Sequence, residues 1–231
     1  MFFFDVQLST SYPKLPPSFH YHSYSRRLNP NLYVDGKVCV SLLGTWSGQG
    51  SENWDSNNSN LLQVLVSIQG LILVSEPYFN EPGYASQKGT PQGDKKSREY
   101  NEMVLLENLT SLTRLAENPP PLFHNEVREH LNETWNSLSR RLEYWDEKCK
   151  TVRDSAKNKE NPLCRVLVEP LQGSSSDQGS STQLPDFPLA PLSSPFSNSL
   201  KRHLEIFDKS VQKLVNKNVL SANVDSRKET M

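Results

Sequence analysis

The sequence predicts an α+β fold in which an antiparallel meander packs on one central helix and further helices follow. Three patterns predict it. Phe2, Phe4, Val6 and Leu8 alternate with Phe3, Asp5 and Gln7, the period of a half-buried strand. Leu61, Val64, Leu65, Ile68, Leu71 and Ile72 recur at helical spacing, as a core-facing stripe does. Beyond residue 97 the strand period does not return, and three apolar stripes at helical spacing follow.

Tyr12-Pro13-Lys14-Leu15-Pro16-Pro17 closes the first strand, because its three prolines fix φ and withhold N–H donors. Ser18 to Tyr24 then reads as a second strand, with Phe19 and Tyr21 on one face. Leu28 to Trp54 is mostly loop around the short apolar piece Val38 to Leu43. Asn57 to Asn60 can cap the central helix at Leu61, and Glu76-Pro77 would end it. A polar loop from Glu81 to Lys96 leads to a helix over Ser97 to Glu117, with Met103, Leu106, Leu109 and Leu112 inward. Prolines 119 to 121 break that helix. A second runs from Leu122 to Lys148 on Val127, Leu131, Trp135, Leu138, Leu142 and Trp145. The expected organisation is a core over 1–117, a helix over 118–149 and a flexible linker over 150–184. A Pro-rich segment with an amphipathic helix over 185–218 and a disordered tail over 219–231 complete it. The last stripe, Leu200, Leu204, Phe207, Val211 and Leu214, is expected to dock back on the domain rather than bind a partner.

Composition narrows the function. A net charge of −1 over 231 residues gives no basic field for nucleic acid or a membrane surface. Three cysteines without regular spacing, Cys39, Cys149 and Cys164, suggest a reducing compartment rather than a disulfide framework. Phe2-Phe3-Phe4 lacks a basic flank and ends at Asp5, unlike a signal peptide. The expected location is therefore the cytoplasm, the nucleus or both. His20 and His22 share a strand face, but no third metal ligand is in view. Gly44, Gly48 and Gly50 are followed by no Gly-Lys-Ser/Thr, which argues against a phosphate loop.

The informative segment is Leu28-Asn29-Pro30-Asn31-Leu32-Tyr33-Val34-Asp35-Gly36-Lys37-Val38-Cys39. Cys39 follows Asn31 by eight residues, across an Asp35-Gly36 turn. A side-chain amide facing a thiol suits acyl transfer, whose tetrahedral intermediate needs a donor for its oxyanion. Taken alone, a cysteine such as Cys39 is more often a small buried hydrophobe than a nucleophile; its company changes the reading.

The order of Tyr12-Pro-x-x-Pro-Pro17, Asn29-Pro30-Asn31, Cys39, Trp54 and Val64-Leu-Val-Ser-Ile-Gln-Gly-Leu71 resembles the ubiquitin-conjugating enzyme family over Phe2 to about Glu117. That family places its thioester cysteine eight residues after the Asn of a His-Pro-Asn motif; here Asn29 stands where most members have His. Residues 29–46, Leu61 to Val74, Glu76 to Tyr84 and 185–200 look most similar to the large hybrid conjugating-and-ligating (O-type) enzymes. The giant inhibitor-of-apoptosis conjugating enzyme is the nearest rival. The resemblance implies a UBC-like fold and a Cys39 thioester with ubiquitin, passed to substrate lysines, with ligase-like autonomy as one form of it.

It also implies roles. Asn31 would donate to the oxyanion, within the supporting motif of Asn29 and Pro30. Lys37 would favour the thiolate if it shares a face with Cys39; an exposed lysine without a role is the alternative. Glu81 would orient or deprotonate the incoming lysine; a solvent-facing carboxylate is the alternative. No cofactor is expected on the chain, since ATP-driven adenylation belongs to the activating enzyme. The partners implied are ubiquitin, the activating enzyme, substrate proteins and a ubiquitin ligase. Family members carry a helix and two strands before the strand that Met1 opens here. The sequence is thus expected to lack the first helix and first strands of the core and to expose an apolar strand edge. A catalytically impaired binding module of the same fold is the alternative reading.

Overall fold

The computed structural model describes residues 1–48, 52–157 and 193–228. Strands β1 (Phe4–Gln7) and β2 (Ser18–Tyr21) pair antiparallel, with Phe4 opposite Tyr21 and Val6 opposite Phe19. Phe19 and Tyr21 are buried while Ser18 and His20 are exposed, so β2 keeps the predicted alternation. β1 does not, since of its predicted face only Phe4 is half-buried and Phe2, Val6 and Leu8 are exposed. Both strands are shorter than predicted. Pro17 supplies no N–H ahead of β2, and past Tyr21 the ladder is reduced to the His22 N–H donating to Phe3 O at 2.9 Å. The turn between them is fixed from outside: the Trp54 indole Nε1 donates to Pro13 O at 2.8 Å.

The other edge of β2 meets the hairpin of residues 33–37. Tyr21 N donates to Gly36 O at 2.8 Å, and His20 bridges Lys37. Gly36 has φ +92°, and a Cβ there would lie 2.0 Å from the His20 ring. Conformation and crowding both require glycine at this turn.

Helix α1 (Leu61–Ser67) opens on a capping box: Gln63 N donates to Asn60 Oδ1 at 3.1 Å and Asn60 N to Gln63 Oε1 at 2.9 Å. Its continuation, Ile68–Ile72, is a π-helical turn closed by Leu73 N on Ile68 O, so the helix ends at Ile72 rather than at Glu76-Pro77. The wider turn changes the predicted face. Val64, Ile68 and Ile72, spaced by four, stay buried, whereas Leu71 is 67% exposed and Leu65 is also outside. Val64, Ile68 and Ile72 close a core with Phe19, Tyr21, Leu32, Val38, Val40 and Leu43.

A second core is helical. Helix α2 (Pro91–Glu117) starts six residues before the predicted Ser97, because the Thr90 hydroxyl accepts from Gly93 N at 3.0 Å and Pro91 suits the first turn. Leu109 is buried and Leu106 and Leu112 are partly so, but Met103 is exposed; Ser97 and Asn101 are buried instead. Asn101 Nδ2 reaches Ser75 O at 2.9 Å, tying α2 to the segment that follows the π turn. Helix α3 (His124–Lys157) and helix α4 (Ser194–Lys228) complete a bundle with α2. Val127, Leu131 and Leu142 are buried against Leu200, Leu204, Phe207, Val211 and Leu214, with Trp135, Leu138 and Trp145 at the margin. The last helix docks on the domain.

The predicted boundaries need two corrections. Residues 150–157 continue α3 where a linker was expected, and α4 runs to Lys228 where a disordered tail was expected from residue 219. Neither stretch holds the proline or glycine that would stop a helix. The remainder of the predicted linker lies outside the described residues. Among those residues no helix is long and apolar enough to cross a membrane.

Candidate active site

The chain around Asn31 and Cys39 forms a reciprocal pair. Cys39 N donates to Asn31 O, and Asn31 Nδ2 donates to Cys39 O, each at 2.9 Å. The eight-residue spacing works because the hairpin between them is closed by Tyr33 N on Lys37 O and by the Leu32–Val38 bridge. Cys39 is 3% exposed yet contributes to the wall of a 980 Å³ cavity, with Asn31 beside it. Leu42, Trp46, Leu62, Val66 and Leu71 give that cavity an apolar side, which accounts for the exposure of Leu62, Val66 and Leu71. Thr45 fixes the flanks of Cys39: its hydroxyl accepts from Val40 N at 3.0 Å and donates to Val38 O at 2.6 Å.

Asn29 is buried behind the pair. Its Oδ1 accepts from Asn31 N at 2.8 Å and its Nδ2 donates to Ile72 O at 2.7 Å, so it joins the motif to the π turn. The Pro30 carbonyl accepts from the Arg27 guanidinium. Arg27 lies over the Tyr33 ring, 4.1 Å from its centroid, and its Nη2 faces Glu81 Oε2 at 3.7 Å. Near this cluster, burial pushes the Tyr100 phenol up to about 12; the Arg27 charge opposes the shift and Glu81 adds to it.

The structure therefore brings Cys39 and Asn31 together, with Asn29 and Pro30 directly behind. The Lys37 ammonium lies 5.7 Å from the centre of the Tyr33 ring, and Lys37 is not in the cavity wall. Glu81 is not in the cavity wall. Its neighbour Asn80 is, held by Nδ2 donating to Leu71 O at 3.0 Å. Sequence reasoning missed Arg27, Thr45 and Asn80. Arg27 and Thr45 flank the motif closely enough to have been suspected, but Asn80 is brought in by the turn after α1. Asn31 Oδ1 and Arg27 Nε are buried without a hydrogen-bond partner among the described residues. No group of three metal-ligating side chains occurs among those residues; His22 pairs instead with Asp5 at 2.9 Å.

A buried cysteine whose backbone carbonyl is held by a side-chain amide thus stands at the edge of a small α+β core. Residues 1–107, a little under half of the chain, match the family model described as ubiquitin-conjugating enzyme. Over 130 residues, or 56% of the chain, it is 53% identical to the probable ubiquitin-conjugating enzyme E2 23 of Arabidopsis thaliana, covering 12% of that protein. It is 50% identical, again over 56% of the chain, to the putative ubiquitin-conjugating enzyme E2 38 of the same plant, covering 40% of it. The human dual E2 ubiquitin-conjugating enzyme/E3 ubiquitin-protein ligase BIRC6 is 46% identical over 56% of the chain and 3% of its own length. The chain thus spans less than half the length of each of these relatives.

Proposed function

We propose that the chain is a ubiquitin-conjugating transferase with Cys39 as its thioester nucleophile and Asn31 as its oxyanion donor. The observation that carries this reading is the reciprocal Asn31–Cys39 pair on the wall of one cavity. In loading, the Cys39 sulfur attacks the carbonyl carbon of ubiquitin's C-terminal glycine on the activating enzyme. A new C–S bond forms, and the bond to the activating enzyme's sulfur breaks, releasing its thiolate. In discharge, a lysine nitrogen attacks the same carbon, the Cys39 C–S bond breaks, and the lysine's surplus proton leaves to the thiolate or to water.

Asn31 suits the intermediate. One N–H of its Nδ2 holds Cys39 O, and the second is free to meet the oxyanion. Such a donor is worth roughly 10²–10³ in rate. The near-complete burial of Cys39 favours a narrow acyl group, as a glycine terminus is, over a bulky one. Substrate lysines, the activating enzyme and a ubiquitin ligase are the proposed partners, and the cytoplasm or nucleus the proposed location.

The test is incubation with activating enzyme, ATP and ubiquitin, followed by a non-reducing gel. A thiol-labile adduct that Cys39→Ala abolishes is expected. Absence of any adduct, or its survival in Cys39→Ala, would refute the proposal.

A further inference from the structure

We propose that Arg27, held by Glu81, is a positioning residue for Asn31. The inference rests on the transferase reading for its kinetic consequence, while its geometric content stands alone. A peptide unit is planar, so its carbonyl and N–H turn together. The unit joining Pro30 to Asn31 is gripped at both ends: Arg27 donates to the Pro30 carbonyl, and Asn29 Oδ1 accepts from the Asn31 N–H. The unit after Asn31 is gripped as well, since Asn31 O accepts from Cys39 N. With both flanking peptides fixed, the Cα–Cβ direction of Asn31 is fixed too, and its amide, bonded to Cys39 O, is aimed from a set base.

Asn29 and Cys39 belong to the motif itself. Arg27 acts from outside it and would swing freely unless restrained. Two restraints are present: the guanidinium stacks on Tyr33, and Glu81 lies 3.7 Å from the same nitrogen that reaches Pro30 O. Both charged side chains are over a third exposed, so the ion pair contributes little to stability, as surface pairs generally do. Its effect is orientation. A lysine at position 27 would keep the charge but lose the planar stack on Tyr33. Glu81 is therefore assigned to Arg27 rather than to the incoming lysine: its carboxylate faces the guanidinium, and the residue is absent from the wall that Cys39 and Asn31 share.

The experiment separates loading of ubiquitin from its single-turnover discharge to free lysine. Arg27→Ala should slow discharge by about tenfold, the scale of losing one charge-assisted hydrogen bond, with loading unchanged within about twofold. Arg27→Lys should restore part of the loss. In an Asn31→Ala background, Arg27→Ala should add nothing. Glu81→Gln should slow discharge less than Arg27→Ala does, and have no effect once Arg27 is alanine. An undiminished Arg27→Ala effect without Asn31 would overturn the proposal. So would a Glu81→Gln effect that persists without Arg27, which would return Glu81 to the role of base.

Hydrogen exchange of the Asn31 side-chain amide, read by NMR with circular dichroism confirming the fold, tests the clamp without chemistry. It should quicken about tenfold in Arg27→Ala. Unchanged exchange overturns the clamp whether or not the chain loads ubiquitin. Failure of the unsubstituted chain to load refutes the transferase reading and leaves the exchange result to decide this one.

Discussion

Phe207 sits at the centre of the bundle with no exposed surface, among Leu200, Leu204, Val211 and the buried residues of α2 and α3. Phe207→Ala removes a ring that the neighbouring helices cannot follow inward, since α2 and α4 are also tied by Ser193 on Glu102 and by Ser210 on Glu117. A buried phenylalanine truncated to alanine costs about 3–5 kcal/mol. That is a large part of the roughly 5–15 kcal/mol that holds a domain together. For a protein of this size each kcal/mol lowers Tm by about 2–4 °C, so a fall of roughly 6–20 °C is expected. Thermal melting followed by far-UV circular dichroism measures it. Leu122→Ala is the control, because Leu122 is 88% exposed and should change stability by less than about 0.5 kcal/mol. A Phe207→Ala protein melting within about 2 °C of the parent would refute the docking of α4, whatever the behaviour of Cys39.

Asn31→Ala should leave ubiquitin loading near normal and slow discharge to lysine by roughly 10²–10³; equal losses in both steps, seen by single-turnover kinetics, would remove Asn31 from the oxyanion role. Gly36→Ala forces a left-handed residue and a clash with the His20 ring, and should cost about 1–3 kcal/mol in a urea melt. His20→Ala should recover part of that loss, and no recovery would show that backbone conformation alone sets it. Burial pushes the Asp146 carboxyl up, but hydrogen bonds from Lys150 and Ser197 and the charges of Lys150 and Lys201 outweigh it and leave it below its ordinary value. A group lowered on folding stabilises above its unfolded pKa of about 3.9, and the gain is lost as pH falls through the folded value. Asp146→Asn should therefore destabilise at neutral pH and progressively less at acid pH; a penalty that grows with acidity would contradict the assignment.

Much of the site was legible because it is local. Asn31, the Asp35-Gly36 turn and Cys39 lie within one hairpin, and hairpin geometry follows from turn chemistry and spacing. The helix cap within Asn57 to Asn60 and the stripes of α3 and α4 were legible for the same reason, though the part of Gln63 in that cap was not read. What escaped depends on the chain returning to itself. The slip of α1 into a π turn turned Leu71 out of the predicted core and onto the cavity, and no periodicity rule anticipates one extra residue in a turn. Glu81 carried the expectation of a flanking acid, yet Arg27, distant in sequence, takes its carboxylate. The start of α2 was legible in Thr90-Pro91 and was overlooked, because the polar run to Lys96 resembles a loop when only apolar spacing is followed.

The central claim is that the Cys39 sulfur carries ubiquitin, and replacing that one atom tests it most directly. Cys39→Ser keeps the size of the side chain and exchanges a thioester for an oxyester. Intact-mass spectrometry after incubation with activating enzyme, ATP and ubiquitin should show the unsubstituted chain gaining one ubiquitin less one water, with the gain erased by thiol. Any adduct of Cys39→Ser should resist thiol and yield only to alkali. A thiol-labile adduct that persists in Cys39→Ser, or no adduct on the unsubstituted chain, would contradict the account.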